Sequence, residues 1–301
     1  MDRRTGDSAR LMDPISLIGA PWADYGLIDS GHGRKLERYG DYRFIRPEPQ
    51  AMWAPALPEW DAHGEFVPGS DEDGGGRWLF DRPVPTGGWP LRWREVAFTA
   101  QNTPFRHLGF FPDMAPVWDW MRGRIGGAAD PECLNLFGYT GVGSLALAAA
   151  GARVVHVDAS KKSVEQARSN AALSGMTDKP VRWLVEDAGK FVAREVRRGR
   201  RYDGIILDPP KWGRGPGGEV WKLEEHLPGL IADCRRLLDG ESRFLFLTVY
   251  AVRMSALAIG ELLNQALGDL GGKVECGELG VTEEARGLTL PTAIFARWRR
   301  D

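Results

Sequence analysis

The sequence predicts an α/β protein in which a doubly wound, mostly parallel sheet follows a small N-terminal antiparallel β subdomain. Three observations carry this. Residues 133–158 form a compact run: a short apolar strand (Cys133–Phe137), a turn with Gly138, Gly141 and Gly143, an alanine- and leucine-rich helix (Ser144–Ala150), and a second strand (Arg153–Val157) ending on Asp158. That is a βαβ unit. Downstream, strand and helix patterns alternate, as parallel sheets covered on both faces require. Upstream, the first 100 residues show short strands divided by glycine turns and no such alternation.

Taken in order, Met1–Met12 reads as a frayed tail. Tyr25–Asp29, Arg34–Tyr39 and Tyr42–Arg46, separated by Gly31-His32-Gly33 and Gly40-Asp41, read as a meander. Ser70–Gly76 is an acidic loop tip, and Arg77–Phe80 and Leu91–Phe98 are further strands. Residues 1–100 are therefore expected to form a β-rich subdomain with a possible part in substrate recognition, and residues 101–301 the second unit. Asp113 is expected to cap a helix running to about Arg122, with Pro116 in its first turn. After the turn-rich linker 123–131 and the βαβ unit, a helix starts at Ser160. Strands at Val181–Val185, Tyr202–Leu207 and Arg243–Thr248 alternate with helices at Gly189–Arg198, within Val220–Leu238 and at Met254–Leu270. Lys273–Leu279 is a sixth strand, and Thr292–Arg299 is the last, inserted antiparallel beside it.

Composition narrows the function. A chain of 301 residues suits one large domain or two smaller ones. Its net charge of −2 supplies no global basic field, so any nucleic-acid site must be a local patch. Cys133, Cys234 and Cys276 form no C-x-x-C pair, which argues against a disulfide framework or zinc and for a reducing, cytoplasmic setting. Met1–Arg10 lacks the apolar region of a signal peptide, and no window has the length of a membrane span. Eight of the twelve tryptophans precede the glycine turn, which predicts an aromatic N-terminal core.

In an open parallel sheet, ligands bind at the carboxyl ends of the strands. Four polar features fall there: the Gly138–Gly143 turn, Asp158, Asp187 after Glu186, and Asp208-Pro209-Pro210-Lys211. Acids at the ends of consecutive parallel strands converge on one cleft. Asp158 stands where a carboxylate takes both hydroxyls of a ribose. The glycine order is G-x-x-G-x-G, not the G-x-G-x-x-G of dinucleotide sites. With Asn135 and Phe137 before it, the turn resembles motif I of the class I S-adenosylmethionine (SAM) methyltransferases.

The resemblance extends to Gly109-Phe110-Phe111-Pro112-Asp113, Asn135-Leu-Phe-Gly-Tyr-Thr-Gly141, Asp158-Ala159-Ser160, Glu186-Asp187 and Asp208-Pro209-Pro210-Lys211. These pieces look like the methyltransferases related to the bacterial large-subunit ribosomal-RNA enzymes, the cytosine-C5 and guanine-N7 group. Leu27–Gly31 and Lys35–Arg38 resemble the β subdomain of one bacterial branch of them. The resemblance implies a seven-stranded, Rossmann-like sheet and SAM as cofactor. It implies Asp158 at the ribose beside Ala159 and Ser160, and Asp187 with the Ala188 N–H at the adenine. Asn135, Phe137, Gly138, Tyr139 and Gly141 would line the methionine end, with Phe110 in a segment folded over SAM. Asp208 and Pro209 would share an edge with that pocket, and Asp208 and Lys211 would hold or deprotonate the acceptor.

One departure bears on chemistry. Cytosine-C5 methylation needs a thiolate nucleophile, which the family's C5 enzymes carry just after strand five. That stretch here, Phe246–Met254, has no cysteine. The expected function is methyl transfer to RNA, ribosomal RNA foremost, without a covalent cysteine step and without metal or membrane. Alternatives are a methyltransferase of protein or small molecules and a non-catalytic SAM-binding scaffold; oligomeric state is not readable. The candidate RNA contact is the patch Arg34, Lys35, Arg38, Arg43 and Arg46 with Tyr39 and Tyr42, if it lies beside the cleft; Arg297-Trp298-Arg299-Arg300 is a second basic cluster at the terminus. The run Arg194–Arg201 reads as a solvated loop at the opposite end of the sheet from the cleft.

Overall fold

A computed structural model describes residues 13–69, 75–250 and 253–300; the expected tail Met1–Met12 and most of the acidic loop tip lie outside them. In chain order the strands of the main sheet are β1 (Ile15–Gly19), β9 (Glu132–Leu136), β10 (Arg153–Asp158), β11 (Val181–Val185), β12 (Gly204–Leu207), β15 (Phe244–Val249), β16 (Lys273–Thr282) and β17 (Thr289–Arg299). Numbers 2–8 belong to N-terminal strands: β2 (Tyr25–Gly31), β3 (Arg34–Tyr39), β4 (Tyr42–Pro47), β5 (Gly64–Pro68), β6 (Gly76–Phe80), β7 (Trp89–Trp93) and β8 (Val96–Ala100). A hairpin supplies β13 (Trp212–Arg214) and β14 (Val220–Lys222). The helices are α1 (Ala115–Ile125), α2 (Val142–Ala149), α3 (Lys161–Leu173), α4 (Ala188–Arg197), α5 (Leu223–Arg235) and α6 (Ala256–Leu267).

The main sheet runs β11-β10-β9-β12-β15-β17-β16-β1, parallel except for β17. The order reverses between β9 and β12, which opens the crevice where ligands bind in doubly wound sheets. β12 and β15 are buried throughout, as strands covered on both faces must be. On one face α1, α2 and α3 pack with the aromatic N-terminal core. On the other α4, α5 and α6 enclose a second, aliphatic core.

The seven expected strands are joined by an eighth. β1 pairs in parallel with β16, and Gly277 makes room for it: a Cβ there would lie 1.6 Å from the Ile15 carbonyl oxygen. The N-terminal sheet runs β2-β3-β4-β5-β6, and β7-β8 forms a separate hairpin. Tyr25, Tyr39, Phe44, Trp89 and Phe98 fill its interior. The Leu27–Gly31 stretch is structural. Asp29 accepts from the backbone N–H groups of Ser30, Ala56 and Leu57 and from Trp60 Nε1, which hold its carboxyl low against burial. Ser30 Oγ donates to buried Glu283, and Leu27 bridges to it, so the turn after β16 is locked onto the N-terminal sheet.

Candidate active site

Two buried networks shape the glycine turn. Asp158, at the end of β10, accepts from the Tyr139 backbone N–H through Oδ2 (2.8 Å) and from Ser160 N through Oδ1 (2.8 Å). Each oxygen keeps a lone pair. Burial raises this carboxyl above its ordinary range, and the two N–H donors oppose the rise. Beneath the turn, Asn135 Nδ2 donates to Ser144 Oγ (2.9 Å), which lies 2.9 Å from His156 Nδ1. His156 is fully buried, and burial drives its pKa down to about 3.

Gly138 owes its identity to that imidazole, because a Cβ would fall 2.4 Å from His156 Cε1. Gly141, at φ +81°, starts α2 in a conformation that L side chains rarely adopt. Phe137 (φ +58°) and Tyr139 (φ +50°) are also left-handed, and such strain in non-glycine residues clusters at functional sites.

These residues border a cleft with about 460 Å³ of open space. It brings together the sequence-predicted Phe110, Asn135, Phe137, Gly138, Tyr139, Gly141 and Asp208. Asp158, Ala159, Ser160, Asp187, Ala188 and Pro209 stand outside this lining, at the neighbouring strand ends or, for Pro209, just past Asp208. Ser160 caps α3 by accepting from Ser163 N, and Asp187 caps α4 by accepting from Lys190 N (2.9 Å). Lys211 is exposed, beyond the rim, at the foot of the β13–β14 hairpin. The tip of that hairpin is glycine-rich, and its base is fixed: Trp221 Nε1 donates to the Pro210 carbonyl (2.7 Å) and its ring packs on Phe137 (5.0 Å).

The acceptor side holds groups that the sequence reading missed. Thr248 Oγ1 donates to Asp208 Oδ1 (2.5 Å). Burial pushes the Asp208 carboxyl up to about 7; the Thr248 bond opposes this and the Asp113 charge adds to it. Asp113 is not the expected helix cap. It lies in a 3₁₀ turn (Pro112–Met114) ahead of α1, whose N-cap is Met114, and its buried carboxyl turns toward Thr292 and Tyr250. The buried Tyr250 hydroxyl lies beside Asp113 and Asp208. Its position just past β15, at a strand's carboxyl end, was the available signal.

The rim is aromatic. Phe111 lies 4.9 Å from His107, 5.6 Å from Tyr139 and 5.5 Å from Tyr250. Burial and the nearby Arg46, Arg106 and Lys35 drive His107 down to about 3, so it is a neutral ring at pH 7. Cys133, Cys234 and Cys276 are all buried in the core, and none lines the cleft.

The family model described as S-adenosylmethionine-dependent methyltransferase matches residues 67–234, more than half of the chain. The chain belongs to this family. Its members use SAM, so this methyltransferase is a SAM-dependent enzyme. A crystal structure of the SAM-dependent methyltransferase from Agrobacterium tumefaciens is 44% identical, covers 96% of this chain and 94% of its own, and superposes with a TM-score of 0.91. A Streptococcus mutans structure assigned as a SAM-dependent methyltransferase shares the fold at 16% identity, with a TM-score of 0.69 over 91% of this chain and 75% of its own. Ribosomal RNA large subunit methyltransferase I of Tolumonas auensis is 37% identical over 113 residues, and that of Alteromonas mediterranea 35% over 86. Those alignments take in 37% and 28% of the methyltransferase and only 26% and 22% of the relatives' own length.

The residues present suit the cofactor. The Asp158 oxygens keep free lone pairs, and the strained turn meets the open cleft at the sheet's switch point. Among the described residues, no helix is long and apolar enough to cross a membrane.

Proposed function

We propose that this methyltransferase acts in the cytoplasm on RNA, ribosomal RNA foremost, at a nitrogen or oxygen nucleophile and not through a covalent cysteine adduct. Bound SAM supplies a methyl group on a good leaving group, so the protein's task is to position, desolvate and receive a proton. In this reading Asp158, flanked by Ala159 and Ser160, takes the ribose hydroxyls. Asp187 and the Ala188 N–H take the adenine. Phe110, Asn135, Phe137, Gly138, Tyr139 and Gly141 hold the methionine end, and Asp208-Pro209 forms the shared edge.

The observation that carries the acceptor assignment is the Asp208 carboxyl, lining the cleft with its pKa near neutrality. A carboxylate so placed accepts an acceptor's proton. The rim of Phe111, His107, Tyr139 and Tyr250 offers the aromatic faces on which unstacked bases are held. Lys211, exposed past the rim, would meet the charge of the acceptor's backbone, and the N-terminal subdomain is assigned to substrate recognition. The partial match to the named ribosomal RNA methyltransferases supports the same class.

The test is incubation of the full chain with methyl-labelled SAM and, separately, total RNA, under-methylated ribosomal subunits, protein extract and small metabolites. Label in RNA is expected, at a nucleoside other than C5-methylcytosine. Label confined to protein or metabolites would overturn the RNA reading, and C5-methylcytosine would overturn the cysteine argument.

A further inference from the structure

Most of the cations that the sequence marks as RNA contacts are neutralised. Arg34 pairs with Glu65, Lys35 with Glu37 and Glu48, Arg38 with Glu284, Arg43 with Asp61 and Arg46 with Glu37. In the run Arg194–Arg201, Arg194 meets Glu186, Arg198 meets Glu195, Arg200 meets Glu132 and Arg201 meets Asp239.

One cluster differs. Arg124 in the last turn of α1, Arg243 before β15, and Arg297 and Arg299 on β17 gather at the amino end of the parallel strands. The register sets Arg299 opposite Phe244 and Arg297 opposite Glu275. Glu275 alone serves several cations: Arg297 (2.8 Å), Arg299 (3.3 Å) and Lys273 (3.1 Å). These bonds hold its carboxyl down at about 2 in spite of burial. Among the described residues, neither Arg124 nor Arg243 has a carboxylate partner.

Three of these arginines each keep one donor unanswered. Arg124 Nε, Arg243 Nε and Arg297 Nη1 are shielded from solvent and make no hydrogen bond. Arg297 is pinned over Trp120, 4.6 Å from the ring centroid, so its guanidinium is pre-positioned. Burial and the positive charges of Arg299 and Arg243 weaken the protonation of Arg124, yet a guanidinium stays charged in proteins. Four arginines and Lys273 share the Glu275 carboxylate, so this end of the sheet keeps an excess of positive charge that an anion would balance.

We propose that Arg124, Arg243 and Arg297 form an anion-binding site that receives phosphate groups of the RNA acceptor, at the end of the sheet opposite the methyl-transfer cleft. The assignment rests on the RNA reading for its source of phosphate; the site's preference for a tetrahedral oxyanion does not. Guanidinium forks match phosphate oxygens in geometry and charge. β15 joins the two sites, with Arg243 before its first residue and Thr248, the partner of Asp208, near its last. That separation is about 17 Å at the rise of an extended strand. An RNA touching both must be long or folded, so the site selects structured RNA over short fragments.

The experiment measures binding of a folded ribosomal RNA fragment and of a short single-stranded oligonucleotide across a salt series. It uses the full chain and its Arg124→Gln and Arg243→Gln variants, with SAM affinity by calorimetry as the control. Each variant should bind the folded RNA roughly tenfold more weakly and flatten the slope of log affinity against log salt by about one. SAM affinity and the weaker oligonucleotide binding should be unchanged. Because each substitution relieves repulsion, the variants should melt no lower than the parent at low salt, which separates lost binding from lost fold. Unchanged affinity and slope in both variants, with the parent binding RNA, would overturn the site and leave the RNA reading intact. If the parent binds no RNA, inorganic phosphate decides: protection of the parent but not the variants against thermal unfolding keeps an anion site while the RNA reading falls, and no protection overturns both.

Discussion

Asp208 sits between two demands. The fold buries it at the cleft wall and favours its neutral form, while proton acceptance needs its charged form. With a pKa near 7, kcat/KM for the acceptor should rise with pH through about 7 and level off above it. Asp208→Asn should lower kcat about 10²- to 10³-fold. A flat profile between pH 6 and 8 would remove Asp208 from the base role. Stability runs the other way. The folded pKa lies above the ordinary value of 3.8, so Asp208 does not oppose folding below that pH, and its burial costs progressively more up to about 7. Asp208→Asn should therefore raise Tm at pH 8 by about 2–5 °C and leave it unchanged at pH 4, as calorimetry can check. Gly138 poses a different conflict. Gly138→Ala drives a methyl into the His156 ring and should cost about 1–3 kcal/mol in urea unfolding. In a Gly138→Ala, His156→Ala double variant the two losses should be less than additive, because the second change empties the space the first one needs.

At the scale of elements, the hairpin β13–β14 is the part of the site whose role is open to direct measurement. Trp221 ties it to Pro210 and to Phe137, so one side chain links the acceptor motif to the cofactor turn. Trp221→Ala should destabilise the chain by about 3 kcal/mol and raise the acceptor KM more than the SAM Kd. An equal change in both would mean that the hairpin serves the whole cleft. This hairpin leaves little trace in the sequence, because its tip Gly215-Pro216-Gly217-Gly218 carries only turn signals and its strands are three residues each. The strand ends bearing Asp158, Asp187 and Asp208 were legible because apolar runs closing on an acid are local patterns. β1 was not: its partner β16 lies more than 250 residues away, and Gly277, which admits it, shows no local sign of that duty. Asp113 misled for the same reason. An acid before a helix signals a cap, whereas its real neighbours Thr292 and Tyr250 arrive from distant strands.

At the scale of the molecule, the N-terminal sheet and the methyltransferase sheet share one interior. Tyr39 meets Phe110 edge-on at 5.8 Å, Phe98 meets it at 4.5 Å, and Phe110 borders the cleft. β1 belongs by sequence to the first hundred residues and by pairing to the main sheet. The Glu283 turn adds a polar bolt: Arg286 bonds Glu283, the Ser30 carbonyl and the Ala54 carbonyl, and lies 3.6 Å from Asp29. Arg286→Ala would leave two fully buried carboxylates without their cation and should lower Tm, as a thermal melt can check. A core shared in this way predicts one cooperative transition for the whole chain. Tryptophan fluorescence, weighted to the N-terminal half, and far-ultraviolet circular dichroism, weighted to the helices that follow, should report the same urea midpoint. A fragment of residues 101–301 should fail to fold, since it exposes Phe110 and the β16 edge together. Two separated midpoints, or a folded fragment that binds SAM, would show that the N-terminal sheet is an attachment and not a wall of the active site.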